Sequence, residues 1–232
     1  MIELNEYDTG FFKRKIYTLL PPSLPEEFSI DDRVSQGLII GRIPVLSAKY
    51  LQEAFKFGFE LLCPVIDLAL NIENDFEYQG GDYSRVAKHS DYDGILNIAF
   101  RAFSLSRFHR EPVMASLASE YHREWAKNCL EGRQAEIVMV HGEPDIKGFI
   151  AFSYDGAKKQ ARIVLIGVFP EYSGKDIGGA LISSASSWAK SKGALKLCVR
   201  TEADNLPAVG LYLKKGFRLE ELSFYIRKDT ST

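Results

Sequence analysis

The sequence has no apolar run approaching the roughly 20 residues that a membrane helix needs. Its opening, MIELNEYDTGFFKRK, has no apolar signal core. Both absences point to a protein without a membrane span, expected in the cytoplasm. There is no excess of basic charge: 29 Lys+Arg against 31 Asp+Glu leave a net charge of −2. No global field therefore draws DNA or RNA, and no nucleic-acid partner is expected. The local cluster Lys13-Arg14-Lys15 reads as solvated surface. Cysteine is scarce. Cys63, Cys129 and Cys198 are odd in number, far apart and set in apolar patterns. That argues against a disulfide framework or a zinc site and for a reducing compartment. Each reads as a small buried hydrophobe. His89, His109, His122 and His141 form no metal-ligand spacing, so no metal is expected.

What is there is ordinary for a globular protein: 46% hydrophobic and 26% charged residues in a chain of 232. That length suits one large domain or two small ones. A polar break, NIENDFEYQGGD (71–82), reads as a linker. It divides an N-terminal α/β region, 1–78, from a second domain, 79–232. In the first, LLPPSLPEEF (19–28) is a proline-rich connection. GLIIGRIP (37–44) reads as a buried strand, and SAKYLQEAFKFGF (47–59) as a helix with Ser47 at its N-cap and Gly58 at its end. ELLCPVIDLAL (60–70) reads as a strand pair or one bent strand, with Pro64 demanding an edge or a bulge. Phe11 and Phe12 are expected to anchor the N-terminal segment.

In the second domain the pattern predicts a strand over 84–90 and helices over 91–103 and 113–132. Three strands follow over 135–142, 147–155 and 160–169, in an antiparallel meander. A helix over 176–190, a strand over 194–200, a short helix over 206–216 and a last strand region over 218–228 complete the order. The fold class is mixed α/β with a largely antiparallel sheet flanked by helices.

The stretch EYSGKDIGGALI (171–182) runs from a strand through glycines into a helix. Free N–H groups at a helix start favour an anion. Gly174, Gly178 and Gly179 permit close approach of a ligand to the backbone, and Lys175 adds a positive charge. It matches neither the dinucleotide fingerprint nor the P-loop. From the loop alone, a phosphate cradle and a tight strand–helix junction are equal readings.

VFPEYSGKDIGGALI, followed by ALKLCVRTEADNLPAVGLYLKKGFRLEE, resembles the GNAT superfamily of acyl-CoA-dependent N-acetyltransferases over residues 84–228. The family loop is usually R-G-x-G-x-G/A. Here Ser173 stands at the arginine and Asp176 at a glycine. The spacing Asn205…Ala208…Tyr212…Gly216-Phe217 keeps the family pattern. Further segments, YDTGFFKRKI, YLQEAFKFGFELLCPVIDLAL, AFSLSRFH and YHREWAKNCLEG, are similar to the TDP-fucosamine acetyltransferases.

The resemblance implies acetyl-CoA as co-substrate and direct transfer to the amino group of a nucleotide-linked amino-deoxysugar. It also implies a homodimer. The cofactor would contact Ile166, Gly167 and Val168, then Ser173, Gly174, Lys175, Asp176, Ile177, Gly178 and Gly179, with Asn205 near its pantetheine arm. That arm would lie beside strand 160–168, where a backbone N–H near Gly167 or Val168 would meet the oxyanion. Asp176 would support the helix start with its carboxylate turned from the diphosphate. Tyr212 would be the general acid toward the departing thiolate.

Ser106, Arg107 and Phe108 would hold the substrate; read as residues alone, they are a helix end with a core aromatic. Tyr121, Trp125 and Asn128 share a helix face, of which Trp125 is a substrate candidate. His109 is the one histidine expected beside the substrate. No general base is apparent, which suits an amino-sugar acceptor whose amine titrates near about 8, like an α-amino group. Two rivals remain: transfer to another amine (a protein N-terminus, a polyamine, a small molecule), and a non-catalytic binding module.

Overall fold

The computed structural model describes residues 2–20, 36–72 and 84–231. The expected proline-rich connection, beyond residue 20, and most of the expected linker lie outside these. Ten strands form one sheet in the order β1-β2-β3-β10-β4-β9-β8-β7-β6-β5. In chain order these are β1 (Ile2–Leu4), β2 (Ile16–Leu19), β3 (Leu38–Pro44), β4 (Glu60–Asn71), β5 (Ser84–Val86), β6 (Ile137–His141), β7 (Gly148–Asp155), β8 (Gln160–Val168), β9 (Lys196–Glu202) and β10 (Arg218–Asp229). The helices are α1 (Glu6–Phe12), α2 (Ala48–Lys56), α3 (Tyr92–Ala102), α4 (Arg107–Arg110), α5 (Ala118–Leu130), α6 (Ile177–Ser191) and α7 (Leu206–Lys214).

The predicted meander is present: β6, β7 and β8 pair antiparallel in succession. Its alternation sorts two cores. Val138, Val140, Phe149 and Ala151 pack with Ile95 and Ile98 of α3 and Ala126 of α5. Met139, Ile150 and Phe152 pack on the opposite face with Leu181 and Ala185 of α6. This period-2 division is why the run GFIAF is buried throughout.

Strands from either side of the 71–82 break share this sheet. β4 lies between β10 and β9, paired antiparallel with both. It is one strand, not a strand pair. Pro64 therefore sits in an interior strand rather than at an edge. It is tolerated because pairing to β9 begins at Val65, and the Pro64 carbonyl accepts from Ala203 N–H at 3.0 Å. On the β10 side the register shifts around Leu62, the bulge that was the other expected accommodation.

Three further expectations shift. The strand over 84–90 shrinks to Ser84–Val86, and the helix over 113–132 opens with a 3₁₀ turn, Ala115–Leu117. The N-terminal segment forms β1, α1 and β2, which the sequence reading left unassigned. Asn5 caps α1, its Oδ1 accepting from Asp8 N–H at 3.0 Å. Phe12 is buried with Ile16, Phe108, Met114 and Tyr121, while Phe11 packs at the rim of that cluster.

Candidate active site

The sheet comes apart at its centre. β8 and β9 run parallel and pair only over Gln160–Arg162 with Lys196–Cys198. Beyond that, Val164 is an extra residue opposite β7, set between the pairs Phe152–Ile163 and Ala151–Leu165. A bulge bends and twists the strand that carries it, and the two strands diverge. Between them opens a cavity of about 550 Å³, lined by Ile163–Val168 on one side and Val199–Glu202 on the other. That size suits a small-molecule site.

Phe169 N–H donates to Lys147 O at 2.9 Å. Antiparallel alternation then directs the N–H groups of Gly167 and Leu165 to β7 and leaves those of Ile166 and Val168 facing the gap. Of the two amides expected near an oxyanion, Val168 faces the cavity side and Gly167 does not. Gly167 serves by lacking a side chain: a Cβ there would lie 3.1–3.3 Å from Phe149, Ile98 and Phe103.

The glycine loop closes one end. Gly174 takes a positive φ of 78° and Asp176 one of 56°. The first helical bond of α6 is Ala180 N–H to Asp176 O at 3.0 Å. The amides of Ile177, Gly178 and Gly179 therefore have no acceptor within the helix. Asp176 makes no side-chain cap hydrogen bond; the support expected of its charge at the helix start requires none. An N-cap side chain reaches the first turn from an extended backbone, and Asp176 is left-handed. Its carboxylate instead lies beside Gly179, 3.7 Å from Lys215 Nζ.

Ser173, Gly174, Asp176, Ile177 and Gly178 line the cavity; Lys175 and Gly179 do not. Lys175 Nζ lies 4.9 Å from the centre of the Tyr172 ring. Asn205 lines the cavity and also caps α7, accepting from Ala208 N–H at 3.5 Å. Tyr212 is buried with its ring against Phe217, and the residue is part of the lining. Burial, and then the nearby Glu202 charge, push its phenol pKa well above the ordinary value.

The other end is built from α4 and α5. Ser106, Arg107, Phe108 and Trp125 all line it. The Arg107 guanidinium lies 4.2 Å from the Phe108 ring centre and 4.5 Å from that of Tyr225. Glu202 holds it in two ways: the carboxylate accepts from Arg107 N–H at 3.1 Å and sits 3.6 Å from Nη1. His109 does not line the cavity. Its ring is engaged by Ser106 Oγ at 3.1 Å and Ser119 Oγ at 3.4 Å. His122 lines it instead, stacked on Phe103 at 4.8 Å.

Sequence reasoning missed Glu202, His122 and Phe103. His122 had a local signal, three residues before Trp125 on α5. Glu202 is three residues before the Asn205 cap, but nothing local says that the strand beside it diverges. Asn128 found the partners that a buried amide requires: Tyr7 Oη at 2.8 Å and Arg133 Nε at 2.7 Å.

The cysteines are buried, with burial raising their pKa values to about 11 for Cys63 and Cys198 and about 12 for Cys129. They are inert thiols. Among the described residues no His, Cys, Asp and Glu gather to hold a metal, and no helix is long and apolar enough to cross a membrane.

Residues 95–217 match the acetyltransferase (GNAT) family. The chain belongs to that family. Its matched residues form an acyl-CoA-dependent N-acetyltransferase domain whose co-substrate is acetyl-CoA. The amides of Ile177–Gly179 and the unpaired edge of β8 fit that co-substrate, a diphosphate for the first and an extended amide-bearing arm for the second.

The chain is 28% identical to a dTDP-fucosamine acetyltransferase of Escherichia coli over 74% of its own length and 72% of that protein's. It is 25% identical to the spore coat polysaccharide biosynthesis protein SpsD of Bacillus subtilis, covering 58% of this chain and 46% of that one. A streptothricin acetyltransferase of Streptomyces lavendulae is 29% identical over 53% of this chain and 66% of its own. A GCN5-related N-acetyltransferase from Sphaerobacter thermophilus shares the fold, with a TM-score of 0.63 at 14% identity over 84% of this chain and 61% of that one.

Proposed function

We propose that the protein moves acetyl directly from acetyl-CoA to the amino group of a nucleotide-linked amino-deoxysugar. The observation that carries this is Arg107, a cation held by Glu202 at the far end of the cavity from the glycine loop. A guanidinium so fixed suits a second diphosphate, that of the acceptor, and the flanking Phe108 and Trp125 rings suit a base or sugar ring. The names of the Escherichia coli and Bacillus subtilis relatives support a saccharide acceptor.

In the reaction, the amine nitrogen forms a C–N bond, the C–S bond breaks with its electron pair leaving on sulfur as a thiolate, and the proton that the nitrogen loses goes to water. The Val168 N–H is the donor toward the carbonyl oxygen as it gathers charge. Tyr212, kept protonated by its surroundings, is the donor toward sulfur. With its pKa raised, full proton transfer to a thiolate of pKa about 8.5 is uphill, so the phenol acts mainly by hydrogen bonding. A sugar amine titrating near about 8 is partly neutral at physiological pH, and water takes its excess proton. Two copies of the chain are expected to associate.

The test is release of free thiol from acetyl-CoA with a panel of amines: dTDP-fucosamine, glucosamine, spermidine, streptothricin and an alanine-ended peptide. The highest kcat/KM is expected for the nucleotide sugar. A higher value for any of the others overturns the sugar reading. No heat on titration with acetyl-CoA would point to the non-catalytic module.

A further inference from the structure

His122 is buried, lines the cavity and has no part in the scheme above. Its Nδ1 lies 2.7 Å from Ala118 O. A carbonyl oxygen only accepts, so Nδ1 carries the proton and Nε2 of the neutral ring carries a lone pair. The hydrogen bond of His122 within the described residues is made through Nδ1, not Nε2. The ring is fixed on its faces by Phe103 (4.8 Å, 16° between planes) and His109 (5.9 Å, 12°). Phe103 in turn occupies the space that Gly167 leaves open against β8. The imidazole thus stands one ring away from the strand whose amides face the gap.

Its neutrality has a cause. Burial lowers its pKa to about 4, opposed by the bond to the Ala118 carbonyl and helped by the nearby Arg107 charge. The other acceptor at this end, Glu202, already serves the Arg107 amide and guanidinium. Tyr212 offers a proton rather than taking one.

We propose that His122 Nε2 accepts a hydrogen bond from the incoming amine and so aims that nitrogen's lone pair at the thioester. The ring takes up no proton; it orients the nucleophile. This inference rests on the acetyl-transfer reading of the cavity, whichever amine is the acceptor.

The test has two arms, both on the full chain. In the first, ¹⁵N-labelled histidine is observed at pH 7.5, with the His122 signals assigned by their loss in His122→Phe. An unprotonated Nε2 is expected, and an Nε2–H tautomer overturns the proposal. In the second, His122→Phe keeps the stacking on Phe103 but removes the acceptor. For whichever amine of the panel reacts, kcat/KM should fall about 10–100-fold. The acetyl-CoA Kd should stay within about twofold, a split that loss of a merely structural ring would not produce. His122→Gln should recover part of the loss.

Wild-type kcat/KM in His122→Phe overturns the proposal and leaves the sugar reading intact. An inert nucleotide sugar alongside another amine that reacts, and reacts through His122, does the reverse. Should no amine react, the nitrogen resonance decides.

Discussion

The wall of the cavity made by β8 and the start of α6 presents backbone amides, whereas the wall made by α4 and α5 presents side chains. On the first wall the groups facing the gap are the Ile166 and Val168 amides and those of Ile177 and Gly178. On the second they are Arg107, Phe108, His122 and Trp125. Recognition by main chain survives sequence drift as long as the backbone path is kept. Ser173 and Asp176 depart from the family loop, yet the first helical bond still begins at Ala180 and the amides before it stay open. Recognition by side chains depends on each residue and on what supports it.

The support comes largely from the N-terminal segment. Tyr121 Oη donates to Asp8 Oδ1 at 2.8 Å and Asn128 Nδ2 donates to Tyr7 Oη at 2.8 Å. Phe12 stacks on Tyr121 at 5.1 Å. Residues 2–20 thus brace α5, and α5 carries part of the side-chain wall. The backbone wall has no such dependence, since β7, β8 and α6 hold it within the meander.

Four substitutions sharpen or break this contrast. Tyr212→Phe removes the one side chain on which the chemistry itself is proposed to depend. Turnover should fall by about 10²–10³-fold, the loss of one hydrogen-bond donor to developing charge, with acetyl-CoA affinity nearly unchanged, measured by single-turnover thiol release and by calorimetry. Unchanged chemistry would place that wall's function wholly in its backbone. Arg107→Met should raise KM for a nucleotide-linked amino sugar by about 10–100-fold and leave glucosamine kinetics little altered. Equal losses for both would show that Arg107 does not read a phosphate.

Asp8→Ala strands the buried Tyr121 hydroxyl. It should lower stability by about 1–3 kcal/mol in a denaturant titration. Amine KM should rise while acetyl-CoA Kd holds; parallel losses in both would refute the separate bracing. Asp176→Gly should have the smallest effect. It removes one exposed carboxylate near an anion, so acetyl-CoA should bind about two- to threefold tighter at low salt. The gain should fade as salt rises, because exposed charges are screened. Weaker binding would show that the Asp176–Lys215 pair shapes the loop.

Much of this was legible before any coordinates. The apolar runs at 135–142, 147–155 and 160–169, separated by short turn-rich segments, specified a meander, and they are nearly continuous because each strand buries both of its faces in two cores. The glycine stretch marked the start of α6. The side-chain wall was only half legible. Ser106-Arg107-Phe108 was found through a resemblance, whereas His109 was favoured over His122, because a histidine's distance in sequence from a motif does not report which way its helix faces. Residues 2–19 gave no strong pattern: β1 and β2 are short and partly exposed, so their alternation is faint.

The amino-acid order by itself set most of the elements, the glycine turn before α6 and the family, since periodicity, capping and glycine placement are local properties. The partnership of β4 with β9 and β10, the parting of β8 from β9 and the meeting of Glu202 with Arg107 belong to the assembled molecule. Each depends on residues about 95 or more positions apart in the chain or on a bulge read only against its partner strand. No local window holds both sides of such a contact.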